Sequence, residues 1–249
     1  MGAVGFAPSE EQEAFRSAVR SFAEAKLAPQ AAAADERAEY PWKSFDAYKA
    51  SFIGTQFPVT YGGEGADGVT CAILAEEVSR VCASSSLFVL ISKLGMIPVI
   101  EWGSEELKAR VVPLVASGEA QASYCLSEPG AGSDVASMTT RAVRDGDDYV
   151  LTGRKCWITN AGVSRFYTVF AKTDPSAGHR GISAFVVDCE SEGFSIGKLE
   201  HKLGVRGSPT GDVVLGGPAY QFEALLATKR MLQGAKVDSE IPVEVGRQL

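Results

Sequence analysis

The chain has only two histidines, His179 and His201, and no Cys-x-x-Cys pair among its five cysteines. Both histidines stand in polar stretches, so no cluster of nitrogen and thiolate ligands forms and no metal site is expected. The cysteines, Cys71, Cys82, Cys125, Cys156 and Cys189, are odd in number and widely spaced in apolar or strand-like surroundings. They are expected to be reduced, buried thiols of a cytoplasmic protein, not a disulfide framework. Net positive charge is lacking too: the formal charge is −7, with Lys and Arg scattered among acids. That excludes the basic stripe a nucleic-acid partner needs, and small molecules are the expected partners. Residues 1–9 lack a basic region followed by an apolar one, and the apolar run 86–100 is interrupted by Lys93, Gly95 and Pro98. It falls short of the roughly 18 apolar residues of a membrane helix, so a core element and no membrane span is expected.

With 45% hydrophobic and 22% charged residues over 249 positions, the chain can bury a core in one large or two smaller domains. Ser9 followed by Gln12 has the spacing of a capping box, and Phe15, Val19, Phe22 and Ala23 then recur at helical spacing until Pro29. Cys71, Leu74, Ala75, Val78 and Cys82 form a second stripe, residues 87–94 a third apolar segment. Ser104 precedes Glu105 and Glu106 at a fourth helix start, with Leu107, Val111 and Leu114 on one side. The texture changes at Gly118. Beyond it, short runs rich in Val, Ile, Thr, Phe and Tyr alternate with turn signals such as Asp145-Gly146-Asp147 and Asn160-Ala161-Gly162. The expected class is α+β: a helical N-terminal domain over 1–118, a small antiparallel β-barrel over 119–217, and a short helical C-terminal remnant over 218–249.

Two glycine-rich segments compete for attention. Gly63-Glu64-Gly65-Ala66-Asp67-Gly68 satisfies the dinucleotide fingerprint and precedes a helix. The strand that should lead into it is reduced to Pro58-Val59-Thr60-Tyr61, and no acid follows at the right distance, so a surface loop is the better reading. Gly130-Ala131-Gly132-Ser133-Asp134 instead follows a strand carrying Tyr124 and Leu126, which delivers Ser127 and Glu128 into a loop of small residues with accessible N–H groups. Alone, that loop reads as a glycine-rich turn. Trp157-Ile158-Thr159 closes another strand, offering a flat aromatic face beside a hydroxyl and an amide; alone, Trp157 reads as a core or lid residue. Together the two segments could meet a planar ligand with a polar rim.

At these residues the sequence resembles the acyl-CoA dehydrogenase family, over nearly all of 9–214. The run Cys125-Leu126-Ser127-Glu128-Pro129-Gly130-Ala131-Gly132-Ser133-Asp134-Val135-Ala136-Ser137 matches a family signature in full. It is joined in order by Tyr61-Gly62-Gly63-Glu64-Gly65, Trp157-Ile158-Thr159-Asn160, Gly181-Ile182-Ser183-Ala184-Phe185 and Lys202-Leu203-Gly204-Val205-Arg206-Gly207-Ser208-Pro209-Thr210. The resemblance implies FAD as cofactor and an acyl-CoA thioester as substrate in fatty acid β-oxidation. It implies that Tyr124, Leu126, Ser127, Trp157, Ile158 and Thr159 meet the flavin, Ser127 and Thr159 through hydrogen bonds to its polar edge. Gly132 and Ser133 would line a shared flavin and CoA passage, with Ser133 also touching substrate. The implied reaction is α,β-desaturation, with a buried carboxylate as base and electron-transfer flavoprotein as acceptor.

The family pattern breaks after Val214. Its C-terminal helical bundle is not recognisable, the Tyr-Glu-Gly-Thr segment that carries the catalytic glutamate in most members is absent, and no catalytic base is assigned. Glu223, Asp238, Glu240 and Glu244 are the carboxylates beyond the barrel, and each reads as a solvated helix face. The tail 215–249 is either a family C-terminus joined by an internal deletion or unrelated sequence. A catalytically silent flavin or acyl-CoA binder, a homo-oligomer, and a subunit completed by a partner chain are the alternative expectations. So is a truncated reading frame whose uncovered apolar face drives association.

Overall fold

The structure is a computed structural model and describes residues 7–216 apart from Asp147. The expected helical remnant over 218–249 lies outside the described residues, as do Glu223, Asp238, Glu240 and Glu244. The chain divides into two compact units. One holds residues up to 93 with 116–119 and 201–209; the other holds 94–115, 120–200 and the segment from 210.

In the first unit, helix α1 (Glu10–Phe22) starts at the expected capping box: Ser9 Oγ accepts from the Gln12 N–H, and the Gln12 side chain accepts from the Ser9 N–H. The chain does not stop at Pro29. A π-helical turn at Ala23–Leu27 leads directly into α2 (Ala28–Arg37), with Pro29 in its first turn. The π-turn shifts the hydrogen-bond register just ahead of Pro29, with the Ala28 N–H donating to the Ala23 carbonyl, and so lets the helix run past a residue that has no N–H to give. Helices α3 (Trp42–Lys49) and α4 (Gly68–Val81) complete a core of Val19, Ala23, Leu27, Phe45, Tyr48, Leu74, Val78 and Phe88. The glycine pattern is a loop over 63–67, as expected, with Gly68 opening α4. Asp67 caps α4 by accepting from the Thr70 N–H, and Gly63 lies so close to Phe57 that a Cβ would fall 2.1 Å from its carbonyl oxygen.

Between α1 and α4, Glu77 is buried and receives Arg20 at 2.7 and 2.8 Å, Arg16 at 3.1 Å and Arg80 at 3.3 Å. The Arg20 hydrogen bonds, reinforced by Arg16 and Arg80, outweigh burial and hold its carboxyl at about 2. A carboxyl depressed in the fold contributes stability at pH values above its unfolded pKa and loses it as pH falls through the folded one. Glu77→Gln is therefore expected to lower stability at neutral pH by about 1.5 kcal/mol, the low end for hydrogen bonds to charged groups because the released arginines can turn to water. It should also flatten the decline in stability between pH 5 and 2; urea midpoints across that range measure both.

Helix α5 (Ala83–Trp102) corrects the membrane argument made from the sequence. Lys93, Gly95 and Pro98 do not interrupt it, and by length and composition alone its 20 residues could cross a bilayer. More than half of it is buried within the fold, including Phe88, Val89, Met96 and Val99. A proline inside a helix costs about 3 kcal/mol; burying two or three such side chains offsets that, at about 1.5–3 kcal/mol each.

The second unit takes in the C-terminal part of α5, helix α6 (Glu105–Ala116) and a seven-stranded sheet. Ser104 caps α6 through its hydroxyl, which accepts from the Leu107 N–H. The strands are β1 (Ala122–Cys125), β2 (Arg141–Asp145), β3 (Asp148–Thr159), β4 (Phe166–Lys172), β5 (Ile182–Asp188), β6 (Phe194–Leu199) and β7 (Thr210–Leu215). The order is β1-β4-β2-β3-β7-β6, with β5 paired to β4. The helical-then-sheet order agrees with expectation; the sheet is mixed, not purely antiparallel. Ala122 to Cys125 pair in parallel with Phe166 to Val169, and β2 meets β4 in parallel at Arg141 and Lys172. The remaining pairings are antiparallel. Parallel pairing needs a long crossover, and a hairpin reading of local turns cannot see it. The sheet core holds Cys125, Leu151, Ile158, Tyr167, Val169, Phe185, Val187 and Val213. The cysteines are free; Cys82, Cys125 and Cys156 are buried and Cys71 half-buried, but Cys189 is exposed because β5 ends one residue before it.

Candidate functional site

Leaving β1, the chain passes Leu126 and Ser127 and closes a tight turn in which Glu128 and Ala131 exchange two backbone hydrogen bonds, at 3.0 and 3.1 Å. Pro129 and Gly130 form its exposed tip. Gly132 and Ser133 follow it on the surface, and a Cβ on Gly130 or Gly132 would meet nothing within 4 Å. This segment lies along β3: the Cys156 N–H donates to the Ser127 carbonyl at 2.9 Å.

Under the turn sits a buried ion pair that the sequence reading did not single out. Lys155 Nζ donates to Glu128 Oε1 at 2.8 Å and to the Leu126 carbonyl at 3.1 Å. The two side chains are 0% and 2% exposed, so water does not share in the pairing. Glu128 also accepts from the Thr139 N–H at 2.6 Å, the Thr139 hydroxyl at 2.8 Å and the Thr140 N–H at 3.0 Å. Burial would raise its carboxyl, but Lys155 and these donors outweigh burial and bring it down to about 2. Burial pulls the Lys155 ammonium below its usual range, though Glu128 acts in the opposite direction. Glu128 is thus an ionised strut and not a proton acceptor at neutral pH. Sequence carried little signal for it: Lys155 lies well inside β3, between Arg154 and Cys156.

Two residues further along β3, the pairing with β7 shifts between Lys155 and Ile158. Trp157 sits in this irregularity at φ 57° and is 60% exposed. A bulge with a left-handed residue turns a side chain out of the alternation, and positive φ is unusual for a bulky residue. A bulge thus presents a large aromatic ring to solvent instead of burying it. Ile158 points the other way, into the sheet core, and is paired with Gly211 of β7. Thr159 is half-buried, and its carbonyl accepts from Ser123 Oγ at 2.7 Å, which ties the end of β3 to β1. Tyr124, on the half-buried side of β1, packs its ring 4.9 Å from Phe170.

The structure therefore brings the Tyr124–Ser127 and Trp157–Thr159 segments together through the Ser127–Cys156 and Ser123–Thr159 bonds, while Gly132 and Ser133 extend from the same turn. The donor set comprises an exposed indole, hydroxyls on Ser127 and Thr159, and unobstructed glycines. It fits a planar ligand whose rim accepts hydrogen bonds.

The chain is similar to known proteins along most of its described length. A family model for the acyl-CoA dehydrogenase N-terminal domain matches residues 9–119, and one for the acyl-CoA dehydrogenase middle domain matches residues 123–217. A probable acyl-CoA dehydrogenase of Mycobacterium leprae is 50% identical over 231 residues, covering 88% of this chain and 59% of the relative. The solved butyryl-CoA dehydrogenase of Megasphaera elsdenii is 31% identical with a TM-score of 0.80, covering 85% of this chain and 57% of its own. A glutaryl-CoA dehydrogenase of Mycobacterium smegmatis, solved with FADH2, is 28% identical with a TM-score of 0.79, covering 91% and 59%. Fold and matched segments alike define the N-terminal and middle domains of one family. The chain belongs to the acyl-CoA dehydrogenase family, through its N-terminal and middle domains, and spans about three-fifths of the length of the relatives it matches.

Proposed function

We propose that this chain binds FAD at the Leu126–Ser127 and Trp157–Thr159 segments and serves the α,β-desaturation of an acyl-CoA thioester. The observation that carries the reading is Trp157, held outward at φ 57° beside the Ser127 turn. A hydrophobic ring kept 60% exposed by an irregular backbone has no packing role to explain it. Ser127 and Thr159 would meet the polar rim of the cofactor, Tyr124, Leu126 and Ile158 its ring region, and Gly132 and Ser133 the approach for CoA. Bound there, the flavin supplies the two-electron acceptor that protein side chains lack. The chain's own residues supply orientation and a partly dry wall. Electron-transfer flavoprotein, carried over from the family resemblance, is the proposed acceptor.

Because Trp157 is exposed, Trp157→Ala is expected to leave the stability read by urea unfolding within about 0.5 kcal/mol of wild type. It should weaken FAD binding roughly tenfold, the scale of a lost aromatic stack. Fluorescence titration with FAD reads the second effect, and unchanged affinity would remove the tryptophan from the site.

One observation favours a second reading, in which the chain binds flavin and acyl-CoA without turning over alone. Glu77, Glu128 and Asp212 are the buried acids among the described residues, and each is engaged by Lys or Arg. Glu77 and Glu128 are held low, at about 2, and the Asp212 carboxylate is taken by Arg154, whereas a base for an α-proton is a carboxyl raised toward neutrality. Anaerobic addition of acyl-CoAs of several chain lengths to the FAD-loaded chain separates the readings. Bleaching of the flavin supports desaturation; an acyl-CoA-dependent thermal shift without bleaching supports the silent binder.

A further inference from the structure

We infer that Lys155, held by Glu128, is the positioning residue that aims the Ser127 amide N–H out of the fold as a donor to the cofactor's polar rim. The inference rests on the flavin reading proposed above. Its basis is the planarity of one peptide unit. The Leu126 carbonyl points inward to Lys155 Nζ at 3.1 Å, and all described peptide bonds are trans. In a trans peptide the C=O and the following N–H point in opposite directions, so fixing the Leu126 carbonyl inward turns the Ser127 N–H outward.

The neighbouring peptide units leave that N–H as the outward donor. The Ser127 carbonyl is taken by the Cys156 N–H, and the Glu128 N–H by the Ala131 carbonyl; the Ser127 N–H makes no backbone hydrogen bond among the described residues. Lys155 could not hold its place unaided, because a buried ammonium needs a counter-charge. Glu128 supplies it, and Thr139 and Thr140 fix Glu128 in turn. A cation on the carbonyl side of a peptide also polarises it and strengthens the N–H as a donor. The pair therefore sets both direction and strength of one donor while adding no net charge.

Three measurements on the full 249-residue chain test this. In wild type, amide exchange at Ser127 should slow when FAD is added. Lys155→Met should weaken FAD binding at least tenfold and move the potential of the bound flavin to more negative values, because it leaves the Glu128 charge behind. Glu128→Gln should move the potential the other way, because it leaves the ammonium behind. A purely structural pair would give no such opposed signs. If Lys155→Met does not fold, the neutral double variant Glu128→Gln/Lys155→Met replaces it, with weaker FAD binding expected and little shift in potential. Unprotected Ser127 in an FAD-bound chain overturns the inference alone, as do wild-type affinity in a folded Lys155 variant or potential shifts of equal sign. Failure of wild type to bind FAD overturns both this inference and the functional reading beneath it.

Discussion

Glu128→Ala is expected to destabilise the sheet unit by about 3–5 kcal/mol, the range for removing one partner of a buried ion pair. Lys155 would then be left as a fully buried ammonium whose remaining contacts are the Leu126 carbonyl and, at 3.9 Å, the Met138 sulfur. Against a typical total stability of about 5–15 kcal/mol, such a loss removes much of the margin. The comparison that isolates its cause is Glu128→Gln/Lys155→Met. It removes both charges with little change of volume, and substitutions of that kind are often close to neutral. Urea unfolding of the two proteins should separate them clearly. An alanine variant as stable as wild type would mean that the pair is not the strut described. The carboxyl also gives the pH sign: held at about 2, it contributes stability above the ordinary glutamate range and loses it as pH falls toward 2.

The second large effect is expected at Gly95. A Cβ there would lie 2.9 Å from the Ser123 carbonyl oxygen and 3.0 Å from the Ala122 Cβ, and the Gly95 carbonyl accepts from the Thr168 hydroxyl at 2.6 Å. Helix α5 thus meets the β1 backbone directly and β4 through the Thr168 hydroxyl. Gly95→Leu gains roughly 0.8–1 kcal/mol of helix propensity. Overpacking at this contact costs about 3 kcal/mol, and the contact wins. The displacement should also reach the site, because β1 carries Ser123, whose hydroxyl holds the Thr159 carbonyl, and runs on into Leu126 and Ser127. Lower stability and weaker FAD binding are therefore expected together. A stabilised variant would show that the helix and strand are free to separate.

Much of the fold was legible where its cause is local. The capping box at Ser9, the start of α6 at Ser104, the Asp67 loop before α4 and the turn between β2 and β3 each follow from residues within a few positions of one another. What escaped depends on register and distance. Pro29 and Pro98 read as interruptions; a π-helical turn absorbs the first, and burial of Phe88, Val89, Met96 and Val99 carries α5 through the second while Leu90, Leu94 and Ile97 stay exposed. The parallel pairing of β1 with β4 joins residues about 44 apart, as in Ala122 and Phe166. The candidate site was legible as two segments, Tyr124–Ser127 and Trp157–Thr159, through the family signature they resemble; read alone, the first leads into a glycine-rich turn and the second reads as a core or lid element. Its support was not. Glu128 and Lys155 lie 27 positions apart, and a strand lysine ordinarily faces water. Nothing in their spacing says that the register of β3 places this one beneath the turn.

The most direct test of the account is the cofactor itself. The purified 249-residue chain, incubated with excess FAD and passed through a size-exclusion column, should elute with flavin absorbance on the protein peak at one flavin per chain. Trp157→Ala should retain less flavin under the same conditions. Folded, monodisperse protein that leaves all of its FAD in the small-molecule fractions would contradict a flavin site at Ser127 and Trp157.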